Sequence, residues 1–583
     1  MKRREFMAGV AALPFASRFV SSEYDVDAKE ARAADATAGQ IGHSTSTPGF
    51  DRYCLTRDRV THGTGPAYTT DFLLEDVTGM GPRRFTNYSG DVSGRWIGAL
   101  STASLVFGEK FPQLDEAVQR TIALQKPDGY FGKDFHYDNP DDNDMALLWG
   151  NGRLLVGLTE YYALTHDARA MTSARKLGDF LIRIAATYNS QKMADEFGAA
   201  HFASGYICWT QQTEGLAALY AATKDVRYRD LCSEIASRTQ RRPADHVHGY
   251  LCSVRGTLDL FNATGDARYL LMVETSWQEI MQSGDILVTG GVPEAWSPHK
   301  VRTEGCAEAD WLRLNLKLWE ATGDEKYIAM AERTAFNELA MNQFSSGDFG
   351  HAMLDEKGAP HMVYVRAWWC CTLHGLRAFP DVARAVFRAR ENDAVTFVLP
   401  MDGAIRANGL ELYSTSSLAS DGTIAIRVAK ASGQSLRIRK PAWAAEVAVS
   451  RNGAANGGLE VARLATGDVI RLRYDFGVRQ ETQTDQSIAV LKGPWLLGVA
   501  SEKNPKYFNE LYLENTLLTE TAKPSDEASH LPFDVPLAAT RYSYIDAEVP
   551  DQSHQVVFRA VAEQTSMPPT PWQLLFQAPK SSA

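Results

Sequence analysis

The chain has 583 residues, of which 44% are hydrophobic and 22% charged, and its formal net charge is -11. That length exceeds what a single hydrophobic core organises, so two or three domains are expected. The acidic balance excludes nucleic acid as the main partner, because phosphate binding needs a basic face.

At the N-terminus, Lys2-Arg3-Arg4-Glu5-Phe6-Met7 precedes a short apolar run, Ala8 to Phe15, and then a polar, Ala-rich stretch. Paired arginines before a short apolar segment resemble a twin-arginine (Tat) export signal. Residues 1–47 therefore read as signal and linker, and the protein as periplasmic or secreted; the alternative is a basic, disordered start with no targeting role. The apolar run falls short of the roughly 20 residues that span a bilayer. No other segment qualifies, so no stable membrane insertion is expected.

Seven cysteines, an odd number with Cys370 and Cys371 adjacent, do not read as a disulfide framework. Adjacent cysteines pair poorly because the bridge strains the peptide between them. Free thiols in an exported chain fit a Tat route, in which folding and metal loading precede export from the reducing cytoplasm.

From residue 88 to 385 a helical unit recurs. Its turns are Leu164-Thr165-His166-Asp167, Ala222-Thr223-Lys224-Asp225, Ala263-Thr264-Gly265-Asp266 and Ala321-Thr322-Gly323-Asp324. Tyr228, Tyr269 and Tyr327 follow three of them. Gly ends one helix in the left-handed conformation and Asp caps the next. Repeated helical hairpins fit an open solenoid or a closed α/α toroid. The irregular spacing and the long Gly- and aromatic-rich insertions favour a toroid of six hairpins over residues 48–392, with the insertions gathered at one mouth.

Near Asn392 the apolar period changes from 3.6 to 2. Val395–Leu399, Thr423–Val428, Leu436–Arg439, Val469–Tyr474 and Ile488–Leu491 alternate, with turn signals between them. This predicts an antiparallel β-sandwich over residues 393–583, with the segment from about Lys503 to Pro536 returning over the barrel. The fold class is thus multidomain α + β, an (α/α) toroid followed by a sandwich.

The chemistry-bearing residues are Glu304 and Cys306 in Arg302-Thr303-Glu304-Gly305-Cys306-Ala307, and Cys370 with Cys371 in Trp368-Trp369-Cys370-Cys371-Thr372. Three thiolates and a carboxylate make a sensible tetrahedral zinc set. A Glu-x-Cys pair reaches one metal only from a non-helical segment or a helix start. On composition alone, buried and inert cysteines are the competing reading.

Further stretches extend the pattern: Asp91-Val92-Ser93-Gly94-Arg95-Trp96, Val288-Thr289-Gly290-Gly291 followed by Glu294-Ala295-Trp296, Leu436 to Trp443, and Leu491-Lys492-Gly493-Pro494. With the Glu-x-Cys-Ala and double-cysteine motifs, in this order, the region from about Asn87 to Val499 resembles the β-L-arabinofuranosidase family, family 127 of the glycoside hydrolases. The resemblance implies a Zn2+ site of Glu304, Cys306, Cys370 and Cys371, with Cys370 as nucleophile and Glu294 as general acid/base of a retaining hydrolase. It implies an oligosaccharide or glycoside partner. The separation of Glu294 from Glu304 is shorter than the family loop.

Where the family places histidines on sugar hydroxyls, this chain has Arg153, Gln212 and Cys252. Arg153 and Gln212 can hydrogen-bond hydroxyls, and Arg153 can pair with a carboxylate, which points to β-L-arabinofuranose or a related acidic or modified sugar; an ordinary salt bridge is the alternative for Arg153. His248 either replaces a family histidine or is a loop residue. Trp149 and Trp296 offer stacking faces, or fill the core. The competing functions are a toroid polysaccharide lyase or sugar epimerase, and a non-catalytic glycan-binding protein with structural zinc. The assembly is expected to be a monomer or homodimer.

Overall fold

The computed structural model describes residues 50–138, 140–190, 204–296, 302–354, 360–389, 394–407, 409–501, 515–518, 535–542, 550–563 and 572–577. The export-signal reading of residues 1–47, and most of the segment expected to return over the barrel, lie outside the described residues.

Six helices form an inner ring: α1 (Asp91–Phe107), α2 (Asp142–Thr165), α3 (Gln212–Thr223), α4 (Val247–Thr264), α5 (Gly305–Thr322) and α6 (Cys371–Val386). Each packs on the next, and α6 packs on α1, so the ring is closed and not an open solenoid. The inner helices are buried nearly all round; in α1 Leu105 is the one position outside the buried set. Such helices cannot face water and must be enclosed. Their close approach depends on glycine: a Cβ at Gly94 would lie 2.5 Å from the backbone of Arg153 and Leu154, and one at Gly157 would lie 2.5 Å from the Gly94 carbonyl.

The outer helices bury one stripe only. In Ala267–Gln282 the buried residues are Tyr269, Val273, Trp277 and Ile280, the spacing of one helical face. The first described helix, Phe50–His62, packs against α6 on the outside of the ring.

The four recurring turns behave as their sequences predict. Asp167, Asp225, Asp266 and Asp324 each cap the following outer helix, accepting from the amide two residues on. Gly265 and Gly323 take the left-handed conformation, and so do His166 and Lys224 at the equivalent positions. Tyr228, Tyr269 and Tyr327 then hydrogen-bond Asp179, Ser233 and Glu274, each on the preceding outer helix, at 3.0, 2.9 and 3.1 Å. These tight turns occupy the C-terminal ends of α2 to α5. The long connections therefore all lead into the N-terminal ends of the inner helices, at the opposite mouth. One of them carries a β-hairpin, Gly350–Leu354 with Pro360–Arg366.

After Val386 the chain becomes strands. Each of the five predicted strands is present. Six strands from Gly403 to Asp475 form one sheet and four short ones form a second. Alternate residues Ile424, Ile426, Val428, Ile470 and Leu472 of the first, and Phe397, Leu436 and Ile438 of the second, enter one apolar core. Ser487–Lys492 belongs to a third, eight-stranded sheet. Pairing is antiparallel with two exceptions among the described residues: Ala394–Phe397 runs parallel to Ser435–Ile438, and Asn515–Leu518 to Leu575–Gln577. Arg439 and Trp443 clasp Glu332, and Asn337 bonds the backbone of Pro494 and Leu496, fixing these sheets to the last outer hairpin.

Candidate active site

Glu304 is the N-cap of α5 and Cys306 lies in its first turn; Cys370 is the N-cap of α6 and Cys371 its first residue. At a helix start the chain still turns from extended to helical backbone, so near neighbours in sequence can converge on one point. The N-terminal ends of both helices carry partial positive charge, which favours carboxylate and thiolate over their neutral forms.

The sulfurs of Cys370 and Cys371 are 3.5 Å apart, and burial first, then both of these thiols, raise the Cys306 pKa well above the ordinary thiol range. Donor atoms of Glu304, His351, Cys370 and Cys371 all lie within 4.8 Å of one another. A disulfide would require about 2.05 Å, whereas donors on a tetrahedral zinc stand about 3.5–3.8 Å apart. Soft thiols beside a carboxylate, at this separation, fit zinc. Burial alone would keep the Cys370 thiol protonated, but hydrogen bonds from Cys306, Cys371 and His351 outweigh it and hold the group well below the ordinary thiol range. Of the three cysteines, Cys370 is the residue that keeps any exposure, 7% against 0% for Cys306 and Cys371.

Glu294 stands at the edge of this cluster. Its strand-like segment is held by Glu294 N–H to the Arg302 carbonyl at 2.9 Å and by Val247 N–H to the Glu294 carbonyl at 2.9 Å. The carboxylate pairs with Arg302 and lies 3.6 Å from His351 Nδ1. Burial pushes its acidity down, while His351, His246 and Arg302 together outweigh burial and hold the carboxyl below its usual range. His246 Nε2 lies 2.9 Å from Glu304 Oε2, so the two carboxylates flank one histidine.

The residues expected to meet sugar hydroxyls lie deeper. Arg153 is buried, 3.4 Å from Glu214, 3.2 Å from the Cys252 sulfur, and bonded to Gln211. Gln212 donates to the carbonyls of Leu148 and Cys208 at 2.8 and 2.9 Å, tying α2 to the start of α3. Both side chains are committed to the barrel interior, because Glu214 must be neutralised there by Arg153 and Arg255. His248 is held 2.5 Å from Asp310. Burial first, and then Arg95, depress its pKa to about 3, so it is a neutral ring in the interior and not a loop histidine. Trp149 donates to Asp91 at 2.9 Å and turns its face to His246 and His248. Trp296 is buried under the Arg241 guanidinium, 4.6 Å from its ring.

The structure adds residues that the sequence reading did not single out. His351 comes from the hairpin, and His246 from the entry to α4. Arg95 bonds Asp91 at 2.7 Å and His374 at 2.7 Å, and faces the Cys306 sulfur at 3.7 Å. Beside Cys370, the half-buried Trp368 and Trp369 pack on Phe72 and Phe85.

The sequence matches the family described as "Beta-L-arabinofuranosidase, GH127 catalytic domain" over residues 77–384, more than half of the chain. The chain belongs to this family. It is therefore a glycoside hydrolase, and its partner is a glycan. Two solved structures share the fold. A family 127 β-arabinofuranosidase is 18% identical, with a TM-score of 0.68 over 91% of this chain and 94% of its own. A family 127 β-L-arabinofuranosidase from Geobacillus stearothermophilus T6 is 16% identical, with a TM-score of 0.68 over 91% of this chain and 98% of its own. No curated protein sequence matches. Among the described residues no helix is long and apolar enough to cross a membrane.

Proposed function

We propose that this family 127 enzyme is an exported retaining glycosidase that removes a terminal β-L-arabinofuranose or a closely related sugar, with Cys370 as nucleophile and Glu294 as acid/base. The observation that carries the reading is the asymmetry of the cluster: donors of Glu304, His351, Cys370 and Cys371 converge, with Cys306 beside the two sulfurs, and residue Cys370 keeps 7% of its surface exposed, as does Glu294, where Cys306 and Cys371 keep none. An acidic sugar loses its support, because Arg153 is already neutralised by Glu214.

Glu304, Cys306, Cys370 and Cys371 would hold zinc. A bound zinc would keep the thiols ionised at neutral pH, where a free thiol with pKa about 8.5 is mostly protonated. Cys370 Sγ attacks the anomeric carbon, a C–S bond forms and the C–O bond breaks, and Glu294 protonates the departing oxygen. Glu294, now a carboxylate, takes a proton from water; the water oxygen bonds the anomeric carbon and the C–S bond breaks, restoring the thiolate. Arg302 favours the carboxylate form, so the first step requires the substrate to loosen that pair. Trp368 and Trp369 supply aromatic surface beside the nucleophile for the sugar face.

The test is aryl β-L-arabinofuranoside hydrolysis run together with elemental analysis. About one zinc per active chain is expected, with Cys306→Ser losing both metal and activity. An active, metal-free wild-type protein would overturn the zinc assignment.

A further inference from the structure

The cluster contains more donors than a four-coordinate ion uses. Besides the four residues already assigned, His351 turns Nε2 to within 3.8 Å of the Cys371 sulfur and shares the 4.8 Å donor set with Glu304, Cys370 and Cys371. Its other ring nitrogen, Nδ1, faces Glu294 Oε2 at 3.6 Å. A ring with one nitrogen towards a donor cluster and the other towards a carboxylate has the arrangement of a metal-bound histidine and its supporting carboxylate.

The ring is held in place by the segments that carry the other donors. Ala352, the next residue, accepts from the amide of Thr303, beside Glu304, at 2.9 Å. Phe349 N–H donates to Thr372 Oγ1, beside Cys371, at 3.1 Å, and Gly350 N–H donates to Asn342 Oδ1 at 2.8 Å. The backbone around His351 is therefore tied to the segments that carry the metal-binding motifs.

We propose that His351 is a fifth ligand of this centre, the donor that retains the metal when the Cys370 sulfur is engaged elsewhere. The inference rests on the functional reading above. A nucleophile that is also a ligand presents a difficulty: once its sulfur is bonded to carbon it is a neutral thioether, a weak donor. Three remaining ligands hold zinc less firmly than four, and an imidazole that gives up its Nε2 proton to the metal is an ordinary zinc donor. His351 is the residue positioned to make up the number, and through Nδ1 it ties that exchange to the carboxylate of Glu294.

Replacing Cys370 by alanine mimics the loss of its sulfur without substrate. Zinc affinity of the full-length protein would be measured by competition with a chromophoric chelator for wild type, Cys370→Ala, His351→Ala and the double variant, with folding checked by circular dichroism. His351→Ala should cost less than about 10-fold when Cys370 is present, and at least about 100-fold in the Cys370→Ala background. Equal cost in both backgrounds would overturn the proposal. Zinc X-ray absorption on Cys370→Ala gives an answer even if the double variant does not fold: two sulfurs and one imidazole are expected, and a first shell without imidazole would refute the role of His351. If wild type itself binds no zinc, the functional reading fails instead.

Discussion

Cys370 and Cys371 are consecutive residues with sulfurs 3.5 Å apart, yet Cys370 keeps part of its surface exposed and Cys371 none. The difference comes from the helix start: Cys370 is the N-cap, with a backbone that is not yet helical, while Cys371 is the first residue of the helix. In metal-stripped protein, iodoacetamide should therefore alkylate Cys370 before Cys371 or Cys306, as read by peptide mapping. Cys370→Ser should reduce turnover by at least about 1,000-fold, since a serine hydroxyl is a far poorer nucleophile at neutral pH. Equal labelling of all three sulfurs would remove the asymmetry on which the choice of nucleophile rests.

Arg302 sits on Glu294 and helps to hold its carboxyl below the usual range. Removing that cation by Arg302→Met raises the pKa of Glu294. The enzyme needs Glu294 protonated for its first step, so the basic limb of kcat/KM should move to higher pH. A pH–rate profile of the two proteins decides; a limb that stays in place, or moves down, contradicts the assignment of Glu294.

Glu214 lies inside the barrel between Arg153 and Arg255. Burial opposes its ionisation, but Arg255, Arg153 and Arg377 more than compensate and hold it far below the ordinary carboxyl range. Its contribution to stability is thus present above the unfolded value of about 4.3 and is lost as pH falls through the lower folded value. Glu214→Gln leaves the buried arginines uncompensated at every pH and should cost about 3–5 kcal/mol of stability. Thermal and urea unfolding at neutral pH test this, and a variant as stable as wild type would count against it.

Much of this architecture can be read directly from residues. The Thr-x-Asp turns carry their caps in the sequence, and the strands from Val395 to Leu491 show their period of two. The Glu-x-Cys and Cys-Cys pairs are legible as candidate ligands through the family resemblance, since on composition alone they read as buried, inert cysteines. His351 is not legible: it reaches the cluster through a hairpin, and only the pairing of Ala352 with Thr303 brings it there. Arg153 misleads for a related reason. Its position on α2 suggests the pocket, but the partner that claims it, Glu214, lies on α3 and is met only when those two helices pack.

The proposed export rests on Arg3-Arg4. Replacing the pair with Lys-Lys should leave the protein in the cytoplasm, as followed by fractionation and activity; undiminished periplasmic or secreted activity would refute the Tat route.

The most direct test of the cysteine mechanism is to trap its intermediate. Glu294→Gln removes the proton donor and the base but leaves the nucleophile, so an aryl β-L-arabinofuranoside with a good leaving group should still glycosylate the enzyme, and the adduct should accumulate. Intact-mass spectrometry should show one added pentosyl group, and peptide mapping should place it on Cys370. An adduct on Cys371 would mean the wrong sulfur of the pair; no adduct, with proton NMR showing an inverted first product from the wild-type enzyme, would contradict the thiolate mechanism altogether.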